Sequence, residues 1–402
     1  MDITIFPKKL SGTLAAIPSK SQAHRLMICA ALSDEGSVLI CPQTNEDIEA
    51  TAECLSGLDA TCARFSEGYD VTPFDYDSHS LPEAACLNVH ESGSTLRFLL
   101  PLVGALGIET IFKMEGRLSK RPLSPLWEEM ERMGCQLKWI SEDELCVTGQ
   151  LRPGDYDIDG GVSSQFITGL LFATSLLDGE SRIHIQGKLE SKPYVEMTQK
   201  AMALFGVDTT DLVVKGGRPY KSPGTVYVEG DWSNGAFFLA AQALGNDVTV
   251  TNLDPASAQG DRAAAHWLRE LSQHCIISAA DIPDLVPILA VVAAANQGAV
   301  FTDIGRLRLK ESDRVESTVA MLKALCICAK ATDDQLLVYP GQFAGGTVDA
   351  CNDHRIAMAA AIAATAANGP VTILGAECVK KSYPGFWEEY KRLGGEYELY
   401  LR

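Results

Sequence analysis

The chain has 402 residues, 46% hydrophobic and 21% charged, an ordinary globular composition with apolar material for more than one core. Its 34 Lys and Arg against 52 Asp and Glu give a formal net charge of −18, which argues against nucleic acid and acidic membrane surfaces as partners. The longest apolar runs, Phe98–Ile108 and Ile288–Ala295, are too short to span a bilayer, and Met1–Leu10 alternates like a strand and carries Lys8 and Lys9, unlike a secretory signal. A cytoplasmic protein is the expectation.

Ile3–Phe6 predicts a short first strand. From Ser11, SGTLAAIPSKSQAHRLMICAALSDEGSVLI sets out a plan: a Gly-led turn, a short alternating strand, a polar cluster, and an Ala- and Leu-rich helix of about twelve residues. A Gly or Asp turn and a β-branched strand complete it. The plan returns as CLNVHESGSTLRFLLPLVGALGIETIF from Cys86 and RPGDYDIDGGVSSQFITGLLFATSLLDGESRIHI from Arg152. It returns again as SPGTVYVEGDWSNGAFFLAAQALGNDVTV from Ser222, ISAADIPDLVPILAVVAAANQGAVFT from Ile277 and GGTVDACNDHRIAMAAAIAATAANGPVTI from Gly345; the copies from Cys86 and Ile277 are the weaker ones. Each copy leads to a second polar cluster and a second amphipathic helix, beginning near Asn45, Pro122, Pro193, Gly260, Ser312 and Pro384, and several of these end in Gly. The chain therefore predicts about six βαβα-plus-strand units of roughly 60–75 residues each. Six units exceed one core, so two groups of three are expected.

The twelve Cys are irregularly spaced and form no CxxC pair. They read as reduced, buried small hydrophobes, with Cys326 and Cys328 inside an apolar helical stretch. The seven His show no HExxH spacing, so no metal is expected.

The repeat places a polar cluster at the start of each first helix: Ser19-Lys20-Ser21, Ser92-Gly93-Ser94, Ser163-Ser164-Gln165, Trp232-Ser233-Asn234, Pro283-Asp284 and Asn352-Asp353-His354-Arg355. Plain N-capping explains Ser, Asn and Asp there. It does not explain Lys20, Arg25, Arg97 and Arg355, nor Arg117, Lys120, Arg121, Lys310, Arg314, Lys380 and Lys381 in the second clusters, because the positive end of a helix disfavours cations. Helix N-termini joined by Lys and Arg describe a site for multiply charged anions. The densest stretch, RLRLKESDR from Arg306 to Arg314, reads either as a surface ion-pair network or as a carboxylate held beside cations to carry protons at a bound anion.

PSKSQAHR (Pro18–Arg25), SGSTLR (Ser92–Arg97), SKRP (Ser119–Pro122), SSQF (Ser163–Phe166), SKPY (Ser191–Tyr194), IPD (Ile282–Asp284), LKESDR (Leu309–Arg314), NDHR (Asn352–Arg355) and VKKSYPGF (Val379–Phe386) occur in the order seen in EPSP synthases. Through nearly its whole length the chain resembles that family. The resemblance implies an α+β enolpyruvyl-transferase fold. Two domains would each hold three repeated βαβαββ units around a pseudo-three-fold axis, with helix N-termini facing a cleft. One domain would be discontinuous, residues 1–17 with 230–402, and the other would be 18–229.

The resemblance also implies transfer of the enolpyruvyl group of phosphoenolpyruvate to the 5-hydroxyl of shikimate 3-phosphate, on the shikimate pathway to chorismate and aromatic amino acids. It implies no metal or organic cofactor and a monomer without nucleic-acid or membrane partners. Carried over position by position, Lys20, Ser21, Arg25, Ser163, Ser164, Gln165, Ser191, Tyr194, Asp284 and Lys310 resemble the shikimate 3-phosphate residues. Lys20, Gly93, Arg121, Gln165, Arg314, Arg355 and Lys381 resemble those for phosphoenolpyruvate. Asp284 resembles the general base, and Glu311 and Lys20 the proton carriers. Glu91 and Arg306 stand where many members have Asn.

Two rivals share the scaffold. The enolpyruvyl transferase acting on UDP-N-acetylglucosamine usually carries a reactive Cys in a loop that here reads GRLSKR, without Cys. A non-catalytic binding protein would be expected to lose Asp284, Glu311 or Lys20, and all three are present.

Overall fold

The repeat takes its full form between Ala84 and Gly149. The strands Ala84–His90 and Glu109–Met114 run parallel, joined by a crossover helix, and Glu144–Gly149 pairs antiparallel with Glu109–Met114 and forms a hairpin with Cys135–Trp139. Alternation drives this. Leu87, Val89, Phe112, Leu145 and Val147 point inward and are almost completely buried. The computed structural model describes residues 1–75 and 81–400.

The chain divides into two compact units, Met1–Ile17 with Glu229–Arg402, and Pro18–Val228. Unit 18–228 carries α1 (Lys20–Ala31), α2 (Glu46–Ser56), α3 (Gly93–Leu106), α4 (Leu126–Arg132), α5 (Ser164–Thr174) and α6 (Lys192–Leu204). The discontinuous unit carries α7 (Trp232–Ala243), α8 (Ala264–Glu270), α9 (Val286–Ala295), α10 (Arg314–Ala324), α11 (His354–Ala364) and α12 (Phe386–Arg392). Each unit has its own hydrophobic core.

Each unit closes with strands distant in sequence. Thr225–Tyr227 pairs parallel with Ser37–Ile40, so the end of unit 18–228 completes its first sheet. Asp2–Phe6 lies antiparallel between Val371–Leu374 and Glu396–Tyr400, and Ser11–Ala15 lies parallel to Asp247–Thr251. Four sheets have four strands; the sheet beginning with Asp155–Asp159 has three, and Asp247–Thr251 with Ser11–Ala15 forms a sheet of two among the described residues. After Thr251 the chain goes directly to α8 and on to the next sheet, so that copy lacks its hairpin.

The first helices of each copy are apolar on nearly all sides because they pack on one another. α9 and α11 are buried almost from end to end, and α7, α9 and α11 are in mutual contact. α3 and α5 approach especially closely at Gly169, where an added Cβ would lie 2.3 Å from the Arg97 carbonyl oxygen.

Three local expectations are corrected. α4 begins at Leu126 rather than near Pro122, since residues before Pro122 and Pro125 are disfavoured from helix. α8 begins at Ala264, after a 3₁₀ turn over Gly260–Ala263. The cysteines are free but not uniformly buried: Cys86, Cys326, Cys328 and Cys351 are exposed. Cys326 and Cys328 lie beyond α10, which ends at Ala324, and Cys326 takes a left-handed φ of 64° that ends helical geometry.

Candidate active site

In unit 18–228 the polar clusters do cap helices. Ser19, Ser92 and Ser163 accept backbone N–H bonds at the starts of α1, α3 and α5. The cations beside them have other partners. The Lys20 ammonium stands 2.7 Å from the carboxylate of Asp47, in the first turn of α2. Arg97 donates to Gln165 Oε1 at 3.0 Å, and Gln165 Nε2 donates to Ser94 Oγ at 2.9 Å, which joins the starts of α3 and α5. Ser164 is buried one residue before.

Gly93 leaves room for arginine. An added Cβ there would lie 2.7 Å from Arg121 Nη1 and 2.8 Å from Arg97 Nη1. Two guanidinium groups therefore reach the same helix start, where the first N–H groups also favour an anion.

Arg25 is only 2% exposed. It donates to Thr198 Oγ1 at 2.8 Å, Ser21 O at 2.6 Å, Thr168 Oγ1 at 3.4 Å and Tyr194 O at 3.1 Å, and lies over the Phe98 ring. Burial pulls its pKa down to about 10, against the raising influence of Tyr194 and Cys29, so it stays charged at neutral pH. Its bonds fix the first turn of α6, where buried Ser191 takes a left-handed φ of 54° ahead of Tyr194.

The discontinuous unit holds a denser network. Arg314, the first residue of α10 and 1% exposed, faces three carboxylates: Nη1 is 2.7 Å from Asp284 Oδ1, Nη2 is 2.6 Å from Glu311 Oε2, and Nε is 2.9 Å from Asp353 Oδ2. Asp284 also receives Lys310 at 3.3 Å and Arg355 at 3.4 Å. Asp353 caps α11 by accepting from Arg355 N at 2.9 Å. Lys381 donates to the carbonyl of Asn352 at 3.0 Å, beside the same helix start.

Burial raises the pKa of Asp284, but Lys310, Arg355, Arg314 and His354 together hold it well below the usual carboxylate range. Burial, together with Arg314 and Arg306, lowers that of Lys310, against the pull of Asp284 and Glu311. One guanidinium thus fixes two carboxylates, Asp284 and Glu311, side by side among cations. Two carboxylates placed this way have the chemistry to give and take protons beside an anion.

RLRLKESDR divides between an outer and an inner set of ion pairs. Arg308 makes half-exposed pairs with Asp313 and Glu316, while Lys310, Glu311 and Arg314 enter the inner network. Sequence reasoning missed Asp47 and Asp353 as ion-pair partners. Asp47 had no signal beyond an acidic second-helix start, and Asp353 was read as a cap, which it also is.

The model of the EPSP synthase (3-phosphoshikimate 1-carboxyvinyltransferase) family matches residues 6–390. The chain belongs to the EPSP synthase family. It is 39% identical to the 3-phosphoshikimate 1-carboxyvinyltransferase of Clostridium kluyveri, over 98% of this chain and 97% of that one. It is 37% identical to that of Clostridium perfringens, strain ATCC 13124, over 98% of each. An EPSP synthase structure from Acinetobacter baumannii superposes with a TM-score of 0.79 at 24% identity, covering 99% of this chain and 100% of that one. The enolpyruvyl transferase NikO from Streptomyces tendae does so with a TM-score of 0.76 at 18% identity, over 99% and 98%. The fold is the α+β enolpyruvyl-transferase fold. At the two positions that depart from the common EPSP synthase pattern, Glu91 packs so closely on Gly116 that a Cβ there would meet its Oε1 at 1.8 Å, and Arg306 lies in the 3₁₀ turn Gly305–Leu309.

Proposed function

We propose that the chain transfers the enolpyruvyl group of phosphoenolpyruvate to the 5-hydroxyl of shikimate 3-phosphate and releases phosphate. The observation that carries this is the pairing of Asp284 and Glu311 on one buried guanidinium, among Lys310 and Arg355, in a chain of this family. The hydroxyl oxygen adds to C2 of phosphoenolpyruvate while Glu311, which must first take up a proton in place of its ion pair with Arg314, protonates C3; Asp284, held ionised, accepts the hydroxyl proton. In the resulting tetrahedral intermediate the C2–O bond to phosphate breaks, Lys20 protonates the leaving group and Glu311 takes a proton back from C3. Asp284 and Lys20 return to their starting states by exchange with water.

In this reading Arg121, Gly93, Arg314, Arg355 and Lys381 serve the phosphoenolpyruvate anion. Ser21, Ser163, Ser164, Gln165, Ser191, Tyr194 and Lys310 serve shikimate 3-phosphate. Arg25 spends four of its five N–H groups inside the protein, so its part is chiefly to hold Ser21 and the first turn of α6 in place. The reading includes a cytoplasmic monomer. No helix among the described residues is long and apolar enough to cross a membrane.

Asp284→Asn and Glu311→Gln test the roles, since both keep side-chain volume within a network of ion pairs. Each is expected to lower kcat by about 100-fold or more with the thermal transition retained. Wild-type turnover in the double variant would sink the assignment.

A further inference from the structure

His24 has no part in that chemistry, yet its side chain is wholly buried, on α1 between Lys20 and Arg25. Its Nδ1 lies 2.7 Å from Thr51 Oγ1 on α2. Thr51 Oγ1 lies 2.7 Å from Thr95 Oγ1 on α3, and Thr95 Oγ1 lies 2.7 Å from Ser92 Oγ, the cap of α3. Thr51 and Thr95 are fully buried and Ser92 is 1% exposed. Both threonine hydroxyls also approach the carbonyl of Asp47, at 3.5 and 3.4 Å.

Histidine is a costly choice here. Its Nε2 is buried with no hydrogen-bond partner among the described residues, at a cost of about 1–3 kcal/mol that a leucine would avoid. Burial, then the charges of Lys20 and Arg25, keeps the ring neutral. What histidine adds is the Nδ1 bond, which anchors a hydroxyl chain across three helices. Each hydroxyl has one proton to donate and lone pairs to accept, so the successive hydroxyls can link all four groups. At one end stands the cap that precedes Gly93; along the middle lies the turn that supplies Asp47, the partner of Lys20. Among the described residues these hydrogen bonds stop at α1, α2 and α3, and do not reach α5 or α6.

We propose that His24, Thr51, Thr95 and Ser92 form a buried strut that positions Lys20 and Gly93 for phosphoenolpyruvate, which makes His24 a positioning residue of the transfer reaction. This rests on the function proposed above.

Steady-state kinetics with both substrates, alongside thermal melts, tests it on wild type, Thr51→Val, Thr95→Val, His24→Leu and His24→Asn. The KM for phosphoenolpyruvate is expected to rise about five- to twentyfold in the first three variants, because small misplacements of a binding group are costly. The KM for shikimate 3-phosphate, whose residues in the family pattern also include Lys20, rises less, by at most about threefold, and His24→Asn, whose amide reaches the place of Nδ1, recovers most of the loss. Should His24→Leu fail to fold, Thr51→Val keeps the shape of its side chain and carries the test. A strut that only stabilises would lower the melting temperature and leave both KM values unmoved. That result, or an equal rise in both, would overturn the proposal while leaving the function standing. Absence of wild-type transfer would overturn both.

Discussion

Arg314 holds Asp284, Glu311 and Asp353 with three different nitrogens, and behind this group Asp261, only 2% exposed, adds a carboxyl that the cations do not fully balance. Burial, then the charge of Asp284, pushes its pKa up from 3.8 to about 6. The native state therefore keeps a proton that the unfolded chain has released, and Asp261 costs stability progressively as pH rises from about 4 to 6. Asp261→Asn removes that cost. It is expected to be more stable than wild type at pH 7, by at most about 3 kcal/mol, with the gain vanishing near pH 4 in urea denaturation. A variant less stable than wild type at pH 7 would contradict this. His24 acts in the opposite sense, since the unfolded chain takes a proton near pH 6.5 that the folded ring refuses, so its contribution falls with pH below that point. None of this was legible in the sequence. Lys310, Glu311 and Arg314 stand out as a charged run, but their choice of Asp284 and Asp353 as partners is made by tertiary packing.

At the scale of elements, the helix starts were legible because caps and apolar runs are local signals: Ser19, Ser92, Ser163 and Asp353 each cap the helix that follows them. The two incomplete sheets were not. A missing hairpin leaves no local trace, and the strands that close each unit come from far along the chain. The close approach of α3 and α5 is likewise a matter of packing. Alanine is favoured over glycine by about 1 kcal/mol in a helix. At Gly169 that gain is outweighed, because the new Cβ would meet backbone, the Arg97 carbonyl, at 2.3 Å. Gly169→Ala is expected to destabilise by about 1–3 kcal/mol and to shift the Arg97–Gln165 bond. Equal or greater stability in a denaturation curve would mean that the helices separate freely.

At the scale of the whole molecule, a chain of net charge −18 keeps four arginines almost out of solvent: Arg25, Arg97, Arg314 and Arg355 are 2, 3, 1 and 4% exposed. Arginine is rarely buried unless paired, and all four lie at or near helix starts. The global sign and the local sign thus differ: the chain as a whole is acidic, while the starts of α1, α3, α10 and α11 carry buried arginine. Two of these arginines belong to each unit, and in each the neighbouring residues are those proposed above to meet the anionic substrates. The most direct measurement of the account is phosphate release by the wild-type protein from phosphoenolpyruvate, with shikimate 3-phosphate or UDP-N-acetylglucosamine as acceptor. The account predicts release with shikimate 3-phosphate and none above background with the sugar nucleotide; release with the sugar nucleotide alone would contradict it.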